Sequence, residues 1–539
     1  MLATNEIPSQ CTVLVIGGGP GGSYAAAALA REGVSTVVLE AEKFPRYHVG
    51  ESMLASMRHF LRFIDLDKEF DAYGFKKKVG AAFKLNGRNR EGYTDFLASG
   101  GPDNYAWNVI RSEADEILFK HAGKSGASMH DGVRVDQIYF DNVESQSATN
   151  GNRESLGRPK SASYTNHSTG ASGTIKFDYL IDASGRAGIL TSKYLKTRKF
   201  NQGLKNLANW GYWKNTGAYA VNTAREDSPY FEALTDESGW AWFIPLHNNT
   251  TSVGVVMNQE LAVAKKRSYG STQELYMAAL KLAPNITELL GNGEVVTNIR
   301  SASDYSYNSS TYAIPYARVV GDAGCFIDPF FSSGVHLAFA GALSAATTIC
   351  AAIRGHCDEA SAAKWHSRKV ADGYERFTLV VLSGYRQMRK QQEPVLADFD
   401  EDNFDRAFEF FRPIIQGTAD ISDKLAQSEL SKTLDFCAFA FEPNSPEERI
   451  KLLEKSSNNG TVIATAAEGS YTEKEVSFHA NLTIEEERIA KRIRARKMMR
   501  MDDSLGIENF RTDVIDGLAP FLKRGSLGLV TPMGCEVKG

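Results

Sequence analysis

The 539-residue chain holds six cysteines (Cys11, Cys325, Cys350, Cys357, Cys437 and Cys535), and no two of them form a C-x-x-C pair. That scatter excludes a disulfide framework and a paired-cysteine metal site, and it fits a reducing compartment. An excess of one charge is missing too. With 61 basic against 65 acidic side chains the formal net charge is −4, so the basic footprint of a general nucleic-acid binder is absent. No stretch supplies about 20 uninterrupted apolar residues for a membrane span. The nearest, from Gly334 to Ile353, is interrupted by His336, Ser344, Thr347 and Thr348, and its alanines suit a buried helix. The N-terminal MLATNEIPSQ lacks the basic and apolar regions of a signal peptide. Internal repeats are absent, and 42% apolar with 23% charged residues excludes disordered and collagen-like chains. A cytoplasmic globular enzyme is the expectation.

What is present starts with a β-branched run at 12–16, six residues of glycine and proline at 17–22, an alanine-rich helical segment to 30, and a second strand at 36–39 ending in Glu40. This is a βαβ opening. Further strands are expected at 133–140 and 174–181. Between them, 144–173 is rich in Ser, Thr, Asn and Gly and reads as a mobile surface insertion. Alternating aromatic and aliphatic strands fill 190–320. The expected class is α/β: a core over 1–375 with an inserted substrate-side sheet (75–110 and 190–320), then a mainly helical region over 376–539 covering the substrate site.

The spacing Gly17-x-Gly19-x-x-Gly22 lies between strand and helix. One glycine permits a tight turn, one lets backbone approach a pyrophosphate, and one allows close helix–strand packing. Helix amides then face the phosphate charge, and Glu40 is placed to accept a ribose hydroxyl. Downstream, Asp182-Ala-Ser-Gly185-Arg186 and Gly321-Asp322-Ala-Gly are further strand-to-glycine turns, and these favour FAD over NAD. In this order the three elements resemble flavin monooxygenases of the para-hydroxybenzoate hydroxylase superfamily. That resemblance implies an FAD-binding Rossmann-like core, with Asp322 on the ribityl chain and Arg46 and Arg111 on the flavin side.

Four further motifs carry a sharper resemblance. Trp240-Ala-Trp242-Phe-Ile-Pro245 is similar to the W-x-W-x-I-P signature of flavin-dependent halogenases. Phe75-Lys-Lys-Lys78-Val-Gly80 resembles their F-x-x-K-x-G motif, Gly50-Glu51-Ser52 their G-E-S segment, and Asp328-Pro-Phe-Phe-Ser-Ser333-Gly334-Val-His336 their halide-side loop. The likeness covers about the first 380 residues and is strongest to fungal phenolic halogenases of the radicicol and griseofulvin type. It implies FADH2 supplied by a separate NAD(P)H-dependent reductase, with O2 and chloride or bromide as further reactants. The implied route runs through a flavin C4a-hydroperoxide, hypohalous acid and a lysine relay. Ser333 and Gly334 would hold halide, Trp240, Trp242 and Pro245 would separate the substrate from the flavin, and Lys78 would deliver the halogen. No metal is expected.

By position alone Lys76, Lys77 and Lys84 compete with Lys78, since a lysine run is usually a solvated face. In an extended segment, Lys76 and Lys78 share one side and Lys77 takes the other. Glu51 reads as structural or flavin-proximal, and His336 as a core histidine or a base for a phenol. The loop 329–334 lacks the glutamate that tryptophan halogenases carry there, which favours an electron-rich phenol as the small-molecule substrate. The alternatives are an NADPH-dependent aromatic hydroxylase, a halogenase of carrier-tethered substrates, and a non-catalytic or reductase-like flavoprotein.

Overall fold

The computed structural model describes residues 6–85, 87, 91–97, 101–141, 156–303, 305–389, 391 and 514–532, with seven isolated positions between 452 and 490. The β-branched run forms the strand Gln10–Ile16, and the alanine-rich segment forms the helix Pro20–Ala30, with Pro20 in its first turn, where no backbone donor is needed. The order across the first sheet is Ala313–Ile314, Ala317–Val319, Ser172–Asp182, Gln10–Ile16, Thr36–Glu40 and Ser128–Asp131. Four of these five pairings, from Ala317–Val319 across to Ser128–Asp131, are parallel. Parallel strands need long crossovers, so the C-terminal strand ends Ile16, Glu40 and Asp182, and the turn after Val319, converge on one edge.

Val13, Val15, Val38 and Ile181 on one face of this sheet pack with the helices Pro20–Ala30, Arg111–Lys124 and Gly334–Ile353. Leu14, Ile16, Val37 and Leu180 on the other face join a cluster that continues into the second sheet. That second sheet runs Glu294–Val295, Asn206–Lys214, Thr251–Asn258, Gly239–Pro245, Tyr230–Ala233, Gly80–Lys84 and Gly92–Asp95. Its two-residue alternation divides two cores. Trp240, Trp242 and Ile244 face the cluster shared with the first sheet, while Ala241 and Phe243 face Leu275, Tyr276 and Ile286 on covering helices. Among the described residues, one helix (Gly334–Ile353) is long and apolar enough to cross a membrane. Here it packs between Pro20–Ala30 and the long helix Glu359–Arg389, and Ala342 to Ala351 are buried.

Three expectations meet a different structure. Within 144–173, the polar run Pro159–Asn166 is a strand paired on both sides, with Val133–Phe140 and Ser172–Asp182. Its polar side chains fit because several positions of that antiparallel meander face solvent; residues 142–155 lie outside the described set. The boundary at 375/376 falls inside the continuous helix Glu359–Arg389. Late in the expected helical region, Ala519–Phe521 and Gly528–Val530 form a hairpin, whose Leu527 and Leu529 are buried in the helix-side core. The helical readings at 404–415 and most of 484–500 lie outside the described residues. The box at the start of the latter is present: Thr483 N donates to Glu486 Oε2 (2.9 Å) and Glu486 N to Thr483 Oγ1 (3.2 Å).

Candidate active site

Sterics define the glycine cradle. Gly17 has φ +101°, and a Cβ there would sit 2.3 Å from the Ala183 carbonyl oxygen; at Gly22 it would lie 1.9 Å from that of Gly17. No side chain fits at either point, so bare backbone is left at the head of the helix, as a pyrophosphate requires. Glu40 accepts from the Gly18 amide (2.6 Å) and the Glu42 amide (2.9 Å), which braces the turn.

Arg46 and Arg111 meet on one carboxylate that no sequence motif singles out. Asp115 accepts from Arg111 Nε (2.9 Å) and Nη2 (3.0 Å) and from Arg46 Nη1 (3.2 Å). The arginines hold its carboxyl below the usual carboxylate range despite burial. The one available signal was the i, i+4 spacing of Arg111 and Asp115 on a helix. Arg46 also lies 3.8 Å from Glu40 and stands over Gly19. Asp322 follows Gly321 (φ +60°), and burial pushes its carboxyl up to about 6, with Arg111 opposing. Cradle, acidic strand end, arginine pair and Asp322 lie along the strand-end edge of the first sheet and fit the ribityl and pyrophosphate parts of FAD.

The loop 328–334, expected on the halide side, is a sharp reversal. Asp328 Oδ1 accepts from Phe330 N (3.1 Å), Pro329–Phe331 make one tight turn, and Ser332 takes φ +57°, an unusual value for a side-chain-bearing residue. Ser333 then caps the helix, and the first i→i+4 bond is Leu337 N to Ser333 O (2.9 Å). The amides of the first turn therefore point out of the helix end.

Phe330 packs edge-on against Trp240, with ring centroids 5.0 Å apart. Trp240 and Trp242 stand side by side (5.8 Å) on one face of their strand. Trp242 lies in a notch made by Gly254 opposite it, where an added Cβ would come within 2.2 Å of the indole. Pro245 does not continue this wall, because the alternation that aligns the two tryptophans puts it in register with Ala241 and Phe243. Its carbonyl accepts from Asn108 Nδ2 (3.1 Å).

The three lysines of Lys76–Lys78 are sorted by their surroundings. Lys76 pairs with Asp227, and the exposed Lys77 lies 4.4 Å over the Tyr105 ring. Lys84, on the next strand, is partly buried. Lys78 is 1% exposed, and its amine donates to Ser52 Oγ (2.9 Å) and the Met53 carbonyl (2.8 Å), both uncharged. Burial pulls the amine from its ordinary 10.5 down to about 7.

Segment 49–56 ties these parts together. Arg111 donates to the Val49 carbonyl (3.0 Å), Ser52 and Met53 hold Lys78, and Ser56 Oγ bonds His336 Nδ1 (2.8 Å) at the start of the halide-side helix. His336 lies against the rings of Phe60 and Phe377. Glu51, buried, accepts from the Tyr212 hydroxyl (2.6 Å); burial raises its carboxyl while that bond lowers it. Tyr212 meets the exposed Tyr47 (3.1 Å), which also accepts from Trp210 Nε1 (2.7 Å).

Comparison with known proteins agrees with this geometry. The family model described as tryptophan halogenase matches residues 12–105 and 101–428. The flavin-dependent halogenase ascD of Acremonium egyptiacum is 60% identical over 532 residues, covering 97% of this chain and 93% of its own length. The sulochrin halogenase gedL of Aspergillus terreus is 52% identical over 530 residues, covering 97% and 94%. Among solved structures, the myxobacterial chondrochloren halogenase CndH superposes with TM-score 0.63 at 27% identity, covering 81% of this chain and 98% of that one. The flavin-dependent halogenase CmlS does so with TM-score 0.65 at 25% identity, covering 84% and 79%. With its glycine cradle, the reversal at 328–334 and a buried lysine on one α/β core, the chain belongs to the tryptophan halogenase family, and it is a flavin-dependent halogenase.

Proposed function

We propose that the chain chlorinates, and also brominates, a free phenolic aromatic or polyketide, with Lys78 delivering the halogen. Bound FAD, reduced by a separate NAD(P)H-dependent flavin reductase and supplied with O2, provides the oxidising equivalent that converts halide to hypohalous acid. Gly17, Gly19 and Gly22 would bring bare backbone to its pyrophosphate, Glu40 would meet the ribose, and Asp322 the ribityl chain. Arg46 and Arg111, crosslinked through Asp115, would set positive charge on the flavin side.

The chain's own residues then divide the work. The Ser333 and Gly334 amides hold halide at the helix head, where dipole and amide donors favour an anion. Trp240 and Trp242 keep the aromatic ring from the oxidant's source. Lys78 receives hypohalous acid and presents its halogen to the ring carbon, where C–H is exchanged for C–halogen and water leaves. Fixing both partners in this way supplies much of the rate.

The observation that carries the reading is the environment of Lys78. An amine desolvated to a pKa of about 7, between a hydroxyl and a carbonyl, is substantially uncharged at neutral pH and able to engage an electrophilic halogen. The phenolic substrate is supported by the halide-side loop. Its one carboxylate, Asp328, is buried and taken up by the Phe330 amide, the Tyr385 hydroxyl and Asn206, so ring activation falls to the substrate's own hydroxyl. The test is mass spectrometry on a panel of free phenols given the enzyme, a flavin reductase, NADH, air and chloride or bromide. A product with the halogen isotope pattern that vanishes with Lys78→Met is expected; a gain of one oxygen refutes it.

A further inference from the structure

The loop that presents Ser333 and Gly334 is tied to the tryptophan wall through a residue of the long helix Glu359–Arg389. The Tyr385 hydroxyl donates to Asp328 Oδ2 (2.8 Å) and accepts from Trp240 Nε1 (2.8 Å) and Asn206 Nδ2 (2.7 Å). Asn206 Nδ2 also donates to Asp328 Oδ2 (3.1 Å). One donor and two acceptors exhaust what a phenolic hydroxyl offers, so it has a single orientation here. All four residues are buried. Asp328 uses its other oxygen to cap Phe330 N (3.1 Å), the bond that sets the reversal leading to Ser332, Ser333 and Gly334. The helix comes close at the same place, since a Cβ on Gly384 would lie 3.0 Å from the Phe330 ring.

We propose that Tyr385 is a positioning residue for halide: its hydroxyl fastens the Asp328 cap to the Trp240 indole and thereby fixes where the Ser333 and Gly334 amides point. This rests on the assignment of those amides to halide made above. Four backbone elements converge on that hydroxyl: the halide-side loop, the wall strand Gly239–Pro245, the strand Asn206–Lys214 and the helix Glu359–Arg389. Without it, the indole N–H loses its acceptor, Asp328 loses a donor, and the loop can turn relative to the wall. Trp240 keeps its ring contacts with Trp242 and Phe231, and Lys78 is held by a separate set, Ser52 and Met53, so the substrate side is not affected. The signature of the latch is therefore selective: halide binding weakens, while phenol binding and turnover at saturating halide persist.

The test compares the wild-type protein with Tyr385→Phe and with the isosteric Asp328→Asn, using bromide as the probe. The KM for bromide should rise about tenfold in Tyr385→Phe, with kcat at saturating bromide and the KM for the phenol within about twofold of wild type. Bromide-dependent thermal stabilisation, titrated against acetate at constant ionic strength, should weaken by a similar factor without any turnover. Asp328→Asn, which leaves one carbonyl oxygen where two carboxylate oxygens served the Tyr385 hydroxyl and the Phe330 amide, should shift both readouts in the same direction. Unchanged bromide KM and bromide stabilisation in both variants overturn the latch, leaving the halide assignment intact if the wild type still incorporates bromine. Parallel rises in the bromide and phenol KM, or a loss confined to kcat, overturn it in favour of a general structural role. Absence of bromine incorporation by the wild type removes the assignment beneath it.

Discussion

Replacing Lys78 by methionine should make the protein more stable while removing its halogenating activity. The amine is held at about 7 instead of 10.5 because it is buried against uncharged partners. Over that window the unfolded chain binds the proton that the folded chain releases, so stability rises with pH between the two values. At neutral pH the displaced equilibrium costs the folded protein about 4 kcal/mol relative to a lysine left in water. Methionine fills a similar volume without charge, but it leaves the Ser52 hydroxyl and Met53 carbonyl short of a partner, a loss of about 2 kcal/mol. The variant should thus gain about 2 kcal/mol at about pH 7, and the gain should fall to near zero by about pH 9, where the unfolded-state lysine also begins to shed its proton. Urea unfolding of both proteins at the two pH values measures this, and subtracting the curves cancels every other titrating group. In parallel, halogenated product should fall on the order of 10³-fold in the variant, with flavin reoxidation unaltered. A stability difference that stays constant between the two pH values would show that the ammonium is not desolvated, and the argument for an uncharged relay would fail.

Gly254→Ala should push Trp242 out of its notch, since the new methyl would come within 2.2 Å of the indole; product per NADH consumed should drop several-fold, with free hypohalous acid detected by a trapping dye. Asp115→Asn leaves the buried Arg111 and the partly buried Arg46 sharing a neutral amide, so unfolding free energy should fall by about 3 kcal/mol and FAD retention on gel filtration should weaken. Tyr212→Phe removes the hydroxyl that lowers the Glu51 carboxyl, which should then titrate still higher. An acid raised in the folded state favours that state only while protonated. The variant's stability loss should therefore be larger at about pH 8 than at about pH 5, and equal losses at both would refute it.

Much of the site is legible in the chain's order of residues because its chemistry is local. The spacing of Gly17, Gly19 and Gly22 encodes a turn that only bare backbone can make, and alternation along Lys76–Lys78 separates Lys77 from its neighbours. Alternation also contained the answer for Pro245, whose odd register places it across the strand from Trp240 and Trp242. A motif read as a string hides that parity. The polar stretch around Pro159–Asn166 resembled an insertion because an antiparallel strand with only two fully buried positions needs little apolar content.

The amino-acid order alone therefore determined the glycine cradle, the succession of sheet and helix, the tryptophan pair and the short list of lysines, all properties that depend on neighbours within a few residues. Tertiary structure decided which lysine loses its water, because Lys78 is buried and the groups its amine meets, Ser52, Met53 and Phe96, are all remote in sequence. It also decided that Arg46 and Arg111 share Asp115, and that Tyr385, 57 residues beyond Asp328, closes onto the loop 328–334. Burial and hydrogen-bond closure are properties of the assembled chain, and no local pattern records them.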